Sequence, residues 1–213
     1  MACRTCRGRC PGVSGVAAII LAAGASRRMG SSKPMLPWDG TTLISWELAQ
    51  LQDSCAEEIL IVIGNRSEAV RRSLGEAAKY TVFNQRWPQG RATSLAAAAR
   101  SMIERGLRPD AIVVQNVDQP TRADIVDHLV SELRSSGAEI VQPSYRGKSG
   151  HPVVLAGALL EELAAVKEET LGLRAVVDSH PPRIIEMDDA VVRIDLDTPD
   201  LLAEARSILG IRG

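Results

Sequence analysis

Aromatic residues are scarce in this 213-residue chain: one Phe, two Tyr and three Trp. They are too few and too scattered for the stacking platforms of single-stranded nucleic-acid binders. Net charge is nearly absent as well, with 25 Lys and Arg against 26 acidic residues. No overall field suits a nucleic-acid backbone, so nucleic acid is excluded as a partner. No apolar run approaches the roughly 18 residues of a membrane span; the longest, Val16 to Ala23, stops at Gly24. Membrane association is therefore not expected, and the protein reads as cytoplasmic. Cysteine is confined to Cys3, Cys6, Cys10 and Cys55. The single C-x-x-C pair has no second Cys or His pair beside it, so a zinc site is disfavoured. Three further patterns are missing: G-x-G-x-x-G, Walker spacing and the G-x-S-x-G nucleophile elbow. Their absence argues against a dinucleotide fingerprint, a P-loop and a hydrolytic triad.

What remains is ordinary for a globule: 45% hydrophobic and 24% charged residues, in a length that favours one domain. Residues 1–15 read as a disordered Cys/Arg-rich tail and residues 16–213 as the folded domain. The charge is unevenly placed. Residues 1–38 hold six basic residues and no acid, whereas the remainder holds 19 basic against 26 acidic. An anion site near one end with a carboxylate-rich remainder suits a metal-bridged polyphosphate.

Short apolar runs alternate with amphipathic stretches, the signature of βαβ units. The expected fold is a single-domain α/β protein with a mainly parallel, Rossmann-like sheet and helices on both faces. Strands are expected at Val16–Leu21, Glu58–Ile63, Tyr80–Phe83, Ala111–Asn116, Ile140–Gln142 and Val153–Leu155, with weaker ones near Ile184–Met187 and Val192–Ile194. Helices are expected at Leu43–Leu51, Ser67–Ala78, Thr93–Glu104, Ala123–Arg134, Gly157–Val166, Leu171–Asp178 and Asp200–Leu209. Ligands of such sheets bind beyond the carboxyl ends of the strands.

The loop after the first strand, Leu21 to Pro34, combines small residues with Arg27, Arg28 and Lys33. Small residues let backbone amides approach an anion, and the cations supply forked and point-charge donors to phosphoryl oxygens. A solvated basic loop is the plainer alternative. Asp118 follows the strand ending at Asn116, where a carboxylate can bridge Mg²⁺ to a phosphate or cap a helix. Near the carboxyl end, Asp195 and Asp197 alternate on an extended segment and point to one side; a shared cation and a cap on the last helix are both consistent with that spacing. Trp87–Ser94 and Arg146–Pro152 are turns at the expected ligand edge, and His151 is the plausible site histidine among the three.

Leu21-Ala22-Ala23-Gly24 with Arg28-Met29-Gly30 and Lys33, followed by Asp118-Gln119-Pro120, resembles the MobA-like nucleotidyltransferase family. The match runs from about Val16 to the last helix. The LAAG form, W-x-x-G-x-x-x-S-L at Trp87–Leu95, Gly150-His151-Pro152-Val153 and Asp195–Pro199 are most similar to molybdenum cofactor cytidylyltransferases. The resemblance implies a fold of the nucleotide-diphospho-sugar transferase type. It also implies CMP transfer from CTP to a molybdopterin-type phosphate acceptor, with Mg²⁺ as cofactor and a molybdenum enzyme as a further partner. It assigns the nucleotide loop to Leu21, Ala22, Ala23 and Gly24, phosphate contacts to Arg28 and Lys33, and the metal to Asp118 and Asp197. Gln89, Gly90 and Ser94 would line the cleft, with Gly150 and His151 near the second substrate. Rival readings are a guanylyl or sugar-phosphate nucleotidyltransferase, an NADPH-dependent oxidoreductase in the same cleft, and a non-catalytic cofactor carrier.

Overall fold

The computed structural model describes residues 15–25, 32–170 and 172–211. Residues 1–14, with Cys3, Cys6 and Cys10, and residues 26–31, with Arg28, lie outside them.

The first strand, β1 (Val16–Ala22), is apolar throughout, as befits a strand covered on both sides. A small hairpin follows, β2 (Pro37–Trp38) with β3 (Thr41–Thr42), and then α1 (Leu43–Asp53), β4 (Ala56–Ile63), α2 (Ser67–Leu74) and β5 (Thr81–Phe83). The chain continues through α3 (Arg91–Glu104), β6 (Ala111–Asn116), α4 (Ala123–Ser136), β7 (Ile140–Tyr145), β8 (Lys148–Ser149) and β9 (Val153–Ala156). It ends with α5 (Leu160–Ala165), α6 (Leu173–Ser179), β10 (Arg183–Glu186) and α7 (Pro199–Leu209).

The sheet order is β10-β7-β9-β6-β1-β4-β5. β1 is central, parallel to β4 on one side and to β6 on the other. β9 is antiparallel to both β6 and β7, so the sheet is mostly parallel but mixed. β8 also pairs antiparallel with β7, but it is the reversal at β9 that matters for the site. It brings the amino end of β9, at His151 and Pro152, to the edge where β6 and β7 finish.

Side-chain alternation divides the core into two layers. Ala18, Ile20, Ile61 and Val113 face α1, α2, α4 and α7, while Ala17, Ile19, Val62 and Val114 face α3, α5 and α6. Helices therefore cover both faces of the sheet, as the βαβ pattern requires.

Two expectations are corrected. Val192–Ile194 is not a strand; Ala190–Arg193 forms a 3-10 turn whose start is capped by Asp189, which accepts from the Val191 amide at 2.9 Å. Val191 and Val192 are buried there, so the apolar run marks core contact rather than sheet pairing. Ser67–Ala78 likewise splits, because the helix stops at Leu74 and a 3-10 segment spans Gly75–Tyr80. Gly75 takes φ 55° and ψ −125° there, a conformation suited to glycine, and its amide closes the helix on the Arg71 and Arg72 carbonyls.

Outside the core, His180 joins the start of β7 to α5. Its Nδ1 lies 2.9 Å from Glu139 and its Nε2 2.9 Å from Glu162. Both carboxylates hold the imidazolium above its ordinary pKa. The resulting stability is fully present below the unfolded value of about 6.5 and is lost as pH rises through the raised folded value. Melting temperature followed from pH 6 to 9 should fall more steeply for the native chain than for His180→Gln, and the two curves should converge at the alkaline end.

Candidate functional site

The parallel register of β1, β4 and β6 aligns their carboxyl ends, and the chain changes direction between β1 and β6, where open α/β sheets bind ligands. A cleft of about 670 Å³ opens there. Its floor is Leu21, Ala22, Ala23 and Gly24 on one side and Asn116 to Gln119 on the other. Backbone bonds fix this floor: Val117 N–H donates to Leu21 O at 3.2 Å, and Asn65 N–H to Ala23 O at 3.0 Å. Among the described residues, a Cβ built on Gly24 would meet no atom within 4 Å beyond its chain neighbours.

Lys33 begins the 3-10 turn Lys33–Met35 and is buried. Its Nζ donates to Asp118 Oδ2 at 2.8 Å and to Asp197 Oδ1 at 2.6 Å. Burial alone would pull the ammonium pKa down, but the two aspartates outweigh it and hold the pKa above its ordinary value. Asp118 sits in the turn after β6, and α4 begins only at Ala123, so Asp118 is no helix cap. Thr198 caps α7, its hydroxyl accepting from the Leu201 amide at 3.3 Å. That leaves Asp197 for the cleft. Asp195 completes a triad in which one carboxylate oxygen from each of Asp118, Asp195 and Asp197 lies within 4.8 Å of the others. The two loops are tied directly, since Leu196 N–H donates to Asp118 O at 2.8 Å. An all-oxygen set of this kind fits a hard divalent cation such as Mg²⁺. The lysine ammonium between two of its members shows that the position attracts positive charge.

The opposite wall is the start of α3. Gly90 takes φ 121° and ψ 172°, a region open only to glycine, and a Cβ there would strike the Glu168 carboxylate. Glu168 accepts from the Ala92 amide at 2.9 Å and so satisfies the helix start. Asn84 holds the adjacent turn by donating to Thr93 Oγ1 at 2.9 Å and to Ser94 Oγ at 3.0 Å.

A second cavity of about 290 Å³ adjoins the first, sharing Leu21, Arg91 and Asn116 with it. Gln142, His151, Glu168 and Arg174 supply its polar groups, with Leu95, Leu173 and Val177 as apolar wall. Burial lowers the His151 pKa to about 4, so the ring is neutral at physiological pH.

The expected site residues thus divide. Leu21, Ala22, Ala23, Gly24, Lys33, Gly90, Ser94, Asp118 and Asp197 converge on the cleft, and His151 lines the second cavity. Gln89 lines neither; it is exposed and accepts from Arg86 Nε at 2.9 Å. Gly150 lines neither as well. It packs so closely on the Val192 carbonyl that a side chain would collide. Arg28 lies outside the described residues. Sequence reasoning did not single out Arg91, Gln142, Glu168 or Arg174, which sit in stretches that read as ordinary strand, helix and turn.

Residues 18–184 match the MobA-like NTP transferase domain. The chain is 27% identical over 189 residues to the molybdenum cofactor cytidylyltransferase of Escherichia coli K12, covering 88% of this chain and 94% of that protein. It is 26% identical over 192 residues to nicotine blue oxidoreductase of Paenarthrobacter nicotinovorans, covering 86% and 92%. Among solved structures, Rv0371c of Mycobacterium tuberculosis H37Rv superposes with a TM-score of 0.75 at 25% identity, covering 91% of this chain and 97% of that one. The fold is that of the nucleotide-diphospho-sugar transferases. By sequence match and by the architecture that carries its cleft, the chain belongs to the MobA-like NTP transferase family and is a nucleotidyltransferase.

Proposed function

We propose that the protein transfers CMP from CTP to a molybdopterin-type phosphate acceptor and releases pyrophosphate. The observation that carries this reading is the cleft itself: three clustered carboxylates and a buried lysine at the carboxyl edge, continuous with a second cavity. The similarity to the cytidylyltransferase of Escherichia coli supports the choice of base and acceptor.

In this reading the nucleoside triphosphate lies over Leu21–Gly24, and the acceptor occupies the cavity beside His151. An acceptor phosphate oxygen attacks the α-phosphorus in line. The new O–P bond forms as the bond to the bridging oxygen of the β-phosphate breaks, and pyrophosphate leaves. No protein nucleophile is needed, so catalysis consists of positioning and charge neutralisation. Asp118, Asp195 and Asp197 would hold a divalent cation such as Mg²⁺, which would supply charge neutralisation for the phosphoryl oxygens. Lys33, with Arg28, balances charge on the leaving pyrophosphate. His151, neutral in its buried setting, orients the acceptor by hydrogen bonding without adding charge.

Loss of one preorganised group that stabilises charge in the transition state costs about 10²–10³ in rate. Lys33→Ala and Asp118→Asn should each lower the rate of pyrophosphate release by about that factor while the chain stays folded. Wild-type turnover in both variants would refute the assigned site.

The oxidoreductase relative favours one second reading, reduction by NADPH in the same cleft. A thermal-shift panel with CTP, GTP, ATP, UTP and NADPH, each with and without Mg²⁺, separates the two. A ligand at 100 times its dissociation constant adds about 2.7 kcal/mol, a rise of roughly 5–10 °C for a chain of this size. A Mg²⁺-dependent shift confined to CTP is expected. A shift with GTP would move the proposal to guanylyl transfer, and a shift with NADPH alone would replace it. CTP binding without pyrophosphate release on addition of acceptor would mark a carrier.

A further inference from the structure

α1 buries Leu43, Ile44, Glu47, Leu48 and Leu51, a stripe in which four of five members are apolar. Glu47 is fully buried at its centre. An acid in such a stripe is costly unless a specific partner accompanies it. Facing it across the layer is Gln115, also fully buried. Alternation along β6 puts Gln115 on the same face as Ala111 and Val113, which is the face α1 covers.

Gln115 stands directly under the Asp118 turn. Its amide nitrogen donates to Gln119 O, with a longer contact of 3.3 Å to Asn116 O. The same turn is braced by Gln119 N–H to Asn116 O at 2.9 Å and by Asn116 Nδ2 to Gln119 Oε1 at 2.5 Å. The Gln115 side chain thus spans the loop that presents Asp118. Its own orientation depends on its other end. There, Gln115 Oε1 and both Glu47 carboxyl oxygens are buried without a well-formed hydrogen bond. Burial drives the Glu47 carboxyl toward its protonated form, opposed by the neighbouring Gln115 side chain, aided by the Asp118 charge and opposed again by the Thr121 backbone amide of the same turn. A protonated carboxyl has the donor that Gln115 Oε1 lacks, and one O–H···O bond would satisfy an atom on each side.

We propose that Glu47 is a positioning residue for the metal-binding carboxylate: through Gln115 it fixes the Asn116–Thr121 turn and so the place of Asp118. The inference rests on the reading of Asp118 as a metal ligand. Supporting groups behind a ligand typically change metal affinity 10–100-fold when removed.

The test is Mn²⁺ binding to the intact protein, followed by the loss of the free-ion EPR signal, together with melting temperature. Glu47→Met keeps the volume but removes the donor, and should weaken Mn²⁺ affinity at least tenfold. Melting temperature should be unchanged or higher, as expected when a buried acid becomes apolar. Glu47→Gln retains a donor and should stay within about twofold of the native affinity. Gln115→Met should reproduce the loss, and the double variant should lose clearly less than the sum of the two single losses, because both act on one turn. Native affinity in Glu47→Met, or additive losses in the double variant, would overturn the inference while leaving the site intact. Mn²⁺ binding that survives Asp118→Asn would overturn the site assignment and the inference with it.

Discussion

The Lys33 ammonium is the tie on which the site depends. It joins Asp118, 85 residues away, to Asp197, 164 residues away, and so gathers the loop after β1, the tip of β6 and the segment before α7 at one point. Without it, three carboxylates with oxygens within 4.8 Å of one another would face each other across a partly desolvated cleft. Removing one partner of a buried ion pair typically costs 3–5 kcal/mol; the geometry here is less buried on the acidic side, which lessens that cost. A cation seated among the three acids would lie beside the Lys33 ammonium, which donates to Asp118 and Asp197. A polyphosphate bound in the same cleft would offer an anion to both cations.

The sheet explains why such distant residues meet. Parallel strands deliver their carboxyl ends to one edge, which brings Leu21, Val62 and Asn116 level. The antiparallel strand inserted between β6 and β7, β9, delivers its beginning to that edge instead, and with it His151. The first cavity is thus built at the β1–β6 boundary and the second at the β6–β9–β7 boundary. Leu21, Arg91 and Asn116 face both. Two ligands can meet at their shared wall without any domain closure.

Much of this arrangement was legible in the sequence. A continuous apolar run followed by small residues and Lys33 marks a strand and an anion loop, and an aspartate after the next buried strand marks its partner. These are local patterns with local physical causes. Val192–Ile194 misled because burial of β-branched residues does not distinguish a strand from a 3-10 turn. Gly150 misled for a related reason: a glycine in a basic turn suggests ligand contact, yet close approach of the Val192 carbonyl accounts for it. Gln89 belongs to a motif whose neighbours face the cleft, but the turn at Trp87–Gln89 sends its side chain outward. Glu168 and Arg174 could not be read at all, because their place depends on how the segment before α6 returns to α3. Glu47 illustrates the same limit from inside the core. Its position in the helix period shows burial, whereas its partner is set by a strand 68 positions later.

The relatives carry both a transferase and an oxidoreductase on this architecture, so the fold alone does not choose between chemistries. The charge distribution does bear on the choice. Phosphate groups are anionic in both a nucleoside triphosphate and a dinucleotide, and a carboxylate triad beside them is unfavourable unless a cation intervenes. Hydride transfer draws no advantage from such a cation at the diphosphate. Nucleotidyl transfer does, because charge builds on the leaving pyrophosphate as the bond to the α-phosphorus breaks. With Asp118, Asp195 and Asp197 brought together by two loops tied through Leu196 and Asp118, the protein maintains an electrostatic arrangement that phosphoryl chemistry exploits directly.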